Sequence, residues 1–280
     1  MNISFLDFWP GFSQSKNFFY FLFSEIEEVK ITHPSEADII IFSCFGSENE
    51  KYRNKKRIFY TGENIRPDYN NIDYSFSFDF TENEKNIRVP LWLLQIDWFN
   101  QIDYDNPKYT IPYNEINDNR FIRNPKDKFC SIVFNSTSPN RYEMIEELSK
   151  YKKVDCFGKP FGNWFYGEDK KLETISGYKF NICFENSIHP GYYTEKLIHA
   201  KIAGCVPIYW SDKLISNDFN EKSFINLSDF NNVFDLSQYI IELDKNEEKY
   251  NQIRNEKLFK DDEYPQILFN SILEKIKKIV

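Results

Sequence analysis

Long apolar runs, paired cysteines, histidine and a basic excess are scarce or missing in this 280-residue chain, and each lack removes a class of function. The densest apolar stretch, residues 18–23, is far too short to span a bilayer. The early run at residues 3–8 is broken by Asp7 and follows no basic segment, so no secretory leader is expected. Cys44, Cys130, Cys156, Cys183 and Cys205 form no CxxC pair and no metal-ligand spacing, and read as buried thiols in a reducing compartment. The expectation is a soluble, cytoplasmic protein. Of three histidines, His33 falls in a turn and His199 in a helix, and only His189 lies in a polar loop, so none is read as catalytic or metal-ligating. A net charge of −8 and a pI near 5.2 leave no broad basic face for nucleic acid. Any phosphate recognition must therefore be local.

What is present is core material. With 41% hydrophobic and 18% aromatic residues, the chain can build one large or two modest cores. Strands are expected at residues 2–7, 29–32, 38–43 and 57–61, with a helix at 17–25 and further polar intervals of helix length, which is α/β alternation. The turn Phe8-Trp9-Pro10-Gly11 exposes rings, and Trp9 reads equally as a core aromatic or as a platform for a sugar ring.

Residues 180–210 organise the rest. An apolar strand at 180–184 leads into a loop carrying Glu185, Asn186, Ser187, His189, Pro190 and Gly191. Thr194 can cap a helix whose apolar positions are Leu197, Ile198, Ile202 and Ala203, Gly204 ends it, and 206–210 reads as the next strand. This βαβ unit implies a parallel sheet, in which ligands sit beyond the carboxyl ends of strands, at helix N-termini. Lys196 lies in the first helical turn, where the helix dipole repels a cation, and a bound phosphate would resolve that conflict. Glu195 beside it reads as dipole compensation or as a carboxylate for ribose hydroxyls. The segment 129–150 repeats the arrangement: strand, polar loop, then a helix from about 142. Arg141 at its start either binds phosphate oxygens through its planar fork or pairs with Glu143 or Glu147. Glu63 follows Thr61-Gly62 at another strand's carboxyl end, and reads as a turn or capping carboxylate or as a general base.

These residues also carry a resemblance. Phe184-Glu185-Asn186, Tyr192-Tyr193-Thr194-Glu195-Lys196 and Pro207-Ile208-Tyr209-Trp210, in that order and spacing, resemble the donor-binding signature of the α-1,3/1,4-fucosyltransferases, glycosyltransferase family 10. Thr61-Gly62-Glu63-Asn64, Pro67-Asp68-Tyr69-Asn70 and Arg88-Val89-Pro90-Leu91-Trp92 resemble the same family's acceptor-domain signature. The resemblance implies an α/β fold of GT-B type, two facing Rossmann-like domains with a cleft between them. The acceptor-binding domain would be residues 1–124 and the donor-binding domain 125–280, with a linker within 102–128. It further implies that Glu195 and Lys196 hold the ribose and diphosphate of GDP-fucose, that Tyr192 and Asn186 share that pocket, that Arg141 contacts the pyrophosphate, and that Glu63 is the base.

The implied reaction is inverting transfer of L-fucose from GDP-fucose to a GlcNAc hydroxyl, the 3- before the 4-hydroxyl, of a lactosamine-type glycan. No cofactor is required on this reading, Mn²⁺ being at most stimulatory, because cationic side chains and a helix N-terminus can stabilise the departing diphosphate. Asp103-Tyr104-Asp105 and Asn117-Asp118-Asn119-Arg120 are read as solvated loop, not as metal sites. Ser211-Asp212-Lys213 departs from the family pattern of glycine and proline after the tryptophan. The chain resembles a minimal catalytic core of bacterial or viral type without a heptad tail. Its last helix, 265–280, has Leu268, Ile272, Ile276 and Ile279 on one face and Lys275, Lys277 and Lys278 on the other. It can lie weakly on an anionic membrane or cover its own protein, and packing back on the first domain is the reading adopted. Two alternatives stand: the same fold using another GDP-sugar, and a catalytically silent sugar- or nucleotide-binding protein.

Overall fold

The computed structural model describes every residue except 102, 103, 106, 108, 119–123 and 164–167. The Asp103 and Asn117–Arg120 patterns therefore fall partly outside the described residues. The chain divides into two compact units, residues 1–110 with 263–280, and residues 111–262.

The first unit is built on six parallel strands: β1 (Asn2–Leu6), β2 (Lys30–Ile31), β3 (Ile39–Phe42), β4 (Lys56–Tyr60), β5 (Tyr74–Ser77) and β6 (Asn86–Arg88), in the order β2-β1-β3-β4-β5-β6. β3 is Ile-Ile-Ile-Phe and buried throughout, the unalternating apolar run of a strand covered on both faces. Helix α1 (Phe18–Ser24) packs Phe18, Phe19, Leu22 and Phe23 inward, and Phe19 stacks on Phe76 with ring centroids 5.0 Å apart. Its start is fixed by buried Asn17, whose Oδ1 accepts from the N–H groups of Phe19 and Tyr20, both at 3.0 Å. Nδ2 of Asn17 donates to the Ser13 and Gln14 carbonyls, each at 2.9 Å. Asn17→Ala should therefore cost about 1–2 kcal/mol, the upper part of the N-cap range, read as a shift in the urea midpoint at unchanged slope.

The expected polar intervals of helix length are only partly helical here. The 48–52 interval is a 3₁₀ turn (Glu48–Tyr52), and residues 61–73 contain no helix. Pro67 disfavours helical backbone at Arg66, and Asp68 draws the Asn70 N–H and the Asn71 side chain into a local turn, at 3.1 and 2.6 Å. After the short strand β7 (Ile96–Asp97), the unit is completed from the far end of the chain.

The second unit begins with β8 (Ile111–Pro112) and the single-turn helix α2 (Glu115–Asp118). The described part of the 102–128 stretch is thus not only linker: Ile111 and Ile116 are buried, and the division falls at 110/111. The rest follows as β9 (Lys128–Val133), α3 (Pro139–Ser149), β10 (Val154–Phe157), α4 (Glu168–Ile175), β11 (Tyr178–Ile182), α5 (Glu195–Ile202), β12 (Val206–Tyr209), β13 (Ile225–Asn226), α6 (Val233–Lys245) and α7 (Glu247–Asn255). Five of its strands form a parallel sheet in the order β10-β9-β11-β12-β13, with Phe180 of central β11 opposite Cys130 on one side and Val206 on the other. The charged stretch after Leu236 is two helices, because Asn246 ends one and caps the next, accepting the Lys249 N–H at 3.0 Å.

α5 is buried almost all round, from Leu197 to Ile202, including His199 and Lys201, whereas one apolar face was expected. Lys201 is accommodated by donating to the Ile253 and Arg254 carbonyls at 3.1 and 2.9 Å. Gly204 closes the helix in the left-handed region, φ +73°, and donates to the Lys201 carbonyl at 2.8 Å.

The last helix, α8 (Tyr264–Ile276), belongs to the first unit: Phe269 stacks on Trp98 with centroids 4.4 Å apart. Its inward face is Phe269, Ile272, Ile276 and Ile279, with Leu268 only half-buried, while Lys275, Lys277 and Lys278 point outward. Among the described residues, no helix is long and apolar enough to cross a membrane.

Candidate active site

In the second unit, β9 and β11 are neighbours, and each is followed by a polar loop and a helix start. Each helix start carries a cation. Arg141 is the third residue of α3 and only 2% exposed. Neither Glu143 nor Glu147 pairs with it; Glu147 pairs with Lys150 at 2.5 Å. Instead its guanidinium donates to the Ser136 and Phe184 carbonyls and, at 2.9 Å, to Asn186 Oδ1. Burial draws its pKa below the ordinary arginine value against the opposing pull of Glu185, though a guanidinium stays charged.

Lys196 is the second residue of α5, with its side chain 20% exposed. Its Nζ donates to Glu185 Oε2 and Thr194 Oγ1, both at 2.8 Å, and lies 3.8 Å from Glu195 Oε1. Burial works against its charge, but Glu185 and Glu195 outweigh burial and raise its pKa above the usual lysine value. For Glu195, burial likewise opposes ionisation, and Lys196, Lys171 and His199 more than offset it, so the carboxyl lies well below the usual range. Lys171 Nζ meets His199 Nδ1 at 3.0 Å, one turn further along α5.

The group that ties these together is Glu185, 1% exposed at the end of β11. Its carboxylate accepts from the Thr194 N–H at 2.8 Å, the Thr194 hydroxyl, the Tyr209 hydroxyl at 2.5 Å and Lys196. Thr194 does occupy the N-cap, but its side chain caps nothing: the hydroxyl is committed to Glu185. Three consecutive residues thus hold both cations, the Phe184 carbonyl and Asn186 Oδ1 taking Arg141 and Glu185 taking Lys196. The expected residues Arg141, Asn186, Glu195 and Lys196 belong to this one assembly, and Tyr192 is buried. Asn186 is exposed.

The unusual stretch after Trp210 is ordered by Asp212. Its carboxylate accepts from the buried Tyr193 hydroxyl at 3.0 Å and from the Leu214 N–H at 2.7 Å, capping the 3₁₀ helix Lys213–Asn217. His189 shapes its own loop, with Nδ1 3.0 Å from the Pro190 carbonyl.

Glu63 lies apart from this cluster in sequence and in unit, just beyond β4. Its N–H donates to Thr61 Oγ1 at 3.0 Å and its carbonyl accepts from Ile65 at 2.7 Å, which fixes the backbone and leaves the side chain exposed. Ends of the neighbouring strands carry an aromatic cluster. Phe8 stacks on Phe12 at 3.9 Å and on Tyr60 at 6.2 Å, and half-buried Trp9 meets Phe12 and exposed Phe45 edge-on. Among the described residues, no three His, Cys, Asp or Glu side chains converge as a metal site requires.

Comparison with known proteins places this arrangement. Residues 3–95 match the profile of the alpha-(1,3)-fucosyltransferase FucT N-terminal domain, and residues 123–257 that of the glycosyltransferase family 10 (fucosyltransferase) C-terminal region. The chain belongs to glycosyltransferase family 10. Within the family it is 32% identical over 266 residues to an alpha-(1,3)-fucosyltransferase FucT of Helicobacter pylori, covering 83% of this chain and 55% of that protein. A putative fucosyltransferase of Acanthamoeba polyphaga mimivirus is 40% identical over 147 residues, 48% of this chain and 24% of that protein. The mouse 4-galactosyl-N-acetylglucosaminide 3-alpha-L-fucosyltransferase 9 is 40% identical over 130 residues, 45% of this chain and 36% of that enzyme. The chain therefore spans about half or less of the length of these curated relatives. An alpha1,3-fucosyltransferase crystal structure superimposes with a TM-score of 0.74 at 26% identity, covering 98% of this chain and 90% of that one, and another has been determined with GDP-fucose. The family 10 chain has the α/β fold of GT-B glycosyltransferases. Anabaena HepE, in complex with UDP-glucose, shares that fold alone, with a TM-score of 0.57 at 10% identity.

The sequence places Glu185, Thr194 and Tyr209 within the donor-binding signature but points to no part for them in holding the cations. Each had a routine role available, as loop acid, helix cap and strand aromatic, and their convergence depends on the pairing of β11 with β12.

Proposed function

We propose that this chain transfers L-fucose from GDP-fucose, with inversion, to the 3-hydroxyl of GlcNAc in a lactosamine-type glycan. The observation that carries the reading is the pair Arg141 and Lys196. These are two cations fixed by residues 184–186 at helix starts beyond neighbouring parallel strands, the setting that suits a diphosphate. On this reading the second unit takes the donor. Lys196 and Arg141 bind the pyrophosphate, Glu195 accepts from ribose hydroxyls, and Asn186 and Tyr192 line the same pocket. The first unit takes the acceptor, and Glu63 accepts the proton of the attacking hydroxyl. That oxygen forms the new bond to C1 of fucose as the bond from C1 to the diphosphate breaks, and GDP leaves with its added charge met by the two cations and the start of α5. Two fixed cations supply the stabilisation for which other transferases use a metal ion, so no metal is required.

The test is to incubate purified protein with GDP-fucose, with and without N-acetyllactosamine or its type-1 isomer, in EDTA and then with Mn²⁺, following GDP release and product mass. The expected result is acceptor-dependent release in EDTA, faster with N-acetyllactosamine, with at most a few-fold gain from Mn²⁺. Strict dependence on Mn²⁺ would overturn the metal-free scheme. Turnover of GDP-mannose in preference to GDP-fucose would reassign the donor.

A further inference from the structure

The reading of Arg141 and Lys196 as the diphosphate site leaves open what keeps a lysine in place at a helix N-terminus. The dipole of α5 opposes a positive charge there, and an unrestrained lysine side chain would extend into water. Here the side chain is only 20% exposed, its ammonium 2.8 Å from a carboxylate that is itself 1% exposed. A buried carboxylate is tolerated only when its lone pairs are taken, and those of Glu185 are. The Thr194 N–H and the Tyr209 hydroxyl share Oε1, the Thr194 hydroxyl bridges both oxygens, and Lys196 takes Oε2. Ionised, a carboxylate is acceptor-only, which matches four donors aimed at it. The bonds also fix direction. The Tyr209 hydroxyl comes from β12 and the Thr194 N–H from the start of α5, so Glu185 is braced from strand and helix before it touches Lys196. Two of the three N–H bonds of Lys196 are spent on Glu185 and Thr194, and one remains for a ligand oxygen.

We propose that Glu185 is the positioning residue of the diphosphate site: it acts through Lys196, holding the ammonium where it meets the donor's phosphate oxygens, while touching no part of the donor itself. The inference rests on the donor reading above. It also assigns Tyr209 and Thr194 as the braces of Glu185, and it explains why Phe184-Glu185-Asn186 forms one unit, since the flanking residues hold Arg141 in the same way.

The experiment measures GDP and guanosine binding by calorimetry and competition, on the full chain, for the parent, Glu185→Gln, Lys196→Met and the double variant, with circular dichroism as the fold control. Glutamine keeps the shape and an acceptor oxygen for Tyr209 and Thr194 but removes the charge that holds Lys196. The expected result is at least a tenfold loss of GDP affinity in Glu185→Gln, with guanosine affinity unchanged. The same substitution should have no further effect in the Lys196→Met background. Parent-like GDP binding by Glu185→Gln would overturn the proposal. So would equal losses for GDP and guanosine, or an undiminished loss when Lys196 is already gone, since both indicate a fold effect. If Glu185→Gln does not fold, Tyr209→Phe removes one brace only. It should weaken GDP several-fold and spare guanosine, and unchanged GDP affinity there would equally overturn the assignment. Failure of the parent to bind GDP would strike the donor reading, a result distinct from all of these.

Discussion

Lys196→Met should abolish measurable GDP-fucose turnover, lowering kcat/KM by about 10²–10³ or more, the scale seen when one preorganised donor to developing charge is removed. On the proposed donor reading, lysine is a point charge in a low-dielectric setting, and its bond to a departing diphosphate would strengthen as charge builds on the bridging oxygen. Methionine keeps the length and apolar bulk of the stem and removes only the ammonium. The same change strands Glu185, which would remain buried with its strongest partner gone, at a cost of about 3–5 kcal/mol in stability. Activity and stability can be separated, because the second substitution Glu185→Gln should return most of the lost stability and none of the activity. Denaturant midpoints of the single and double variants, measured beside kcat/KM, check both halves. A Lys196→Met variant with kcat/KM within about tenfold of the parent would remove the lysine from the donor site, since a group acting on the transition state must lower that ratio.

How much of this could be read beforehand follows from what kind of signal each residue carries. Lys196 and Arg141 stood out in the sequence because a cation in a first helical turn conflicts with a local rule. The strands β9, β11 and β12 were legible as apolar runs of strand length between turn residues. Glu185 was not, because a glutamate after a strand conflicts with nothing until Tyr209 and Thr194 are brought to it, and a sequence gap of 24 residues to Tyr209 says nothing of a 2.5 Å contact. Thr194 was read as a cap for the same reason: its position is that of a cap, and only the neighbouring carboxylate diverts its hydroxyl. In the first unit, residues 61–73 form no helix, because side-chain turns at Asp68 with Pro67 take that backbone. The face of α8 was displaced by a single residue, with Phe269 inside and Leu268 at the margin, because the ring finds Trp98 and Phe18 to pack on.

Glu63→Gln should lower kcat by about 10²–10⁴, the usual contribution of a positioned general base, and leave GDP affinity within about twofold of the parent. The two effects separate because Glu63 and the Glu185–Lys196 cluster belong to different units of the chain. The substitution is nearly isosteric, and the backbone of residue 63 is held by its N–H bond to Thr61 Oγ1 and by the Ile65 N–H, neither of which involves the carboxylate. Stability should therefore be unchanged, which makes a kinetic loss interpretable as chemistry. A glutamine cannot take the proton that the acceptor hydroxyl must release as its oxygen bonds to C1. Hydrolysis of GDP-fucose, in which water replaces the sugar hydroxyl, should fall less than transfer does, because water can deliver its proton to solvent. If Glu63→Gln retained kcat within about threefold, the base would have to be sought elsewhere along the carboxyl ends of the first unit's strands.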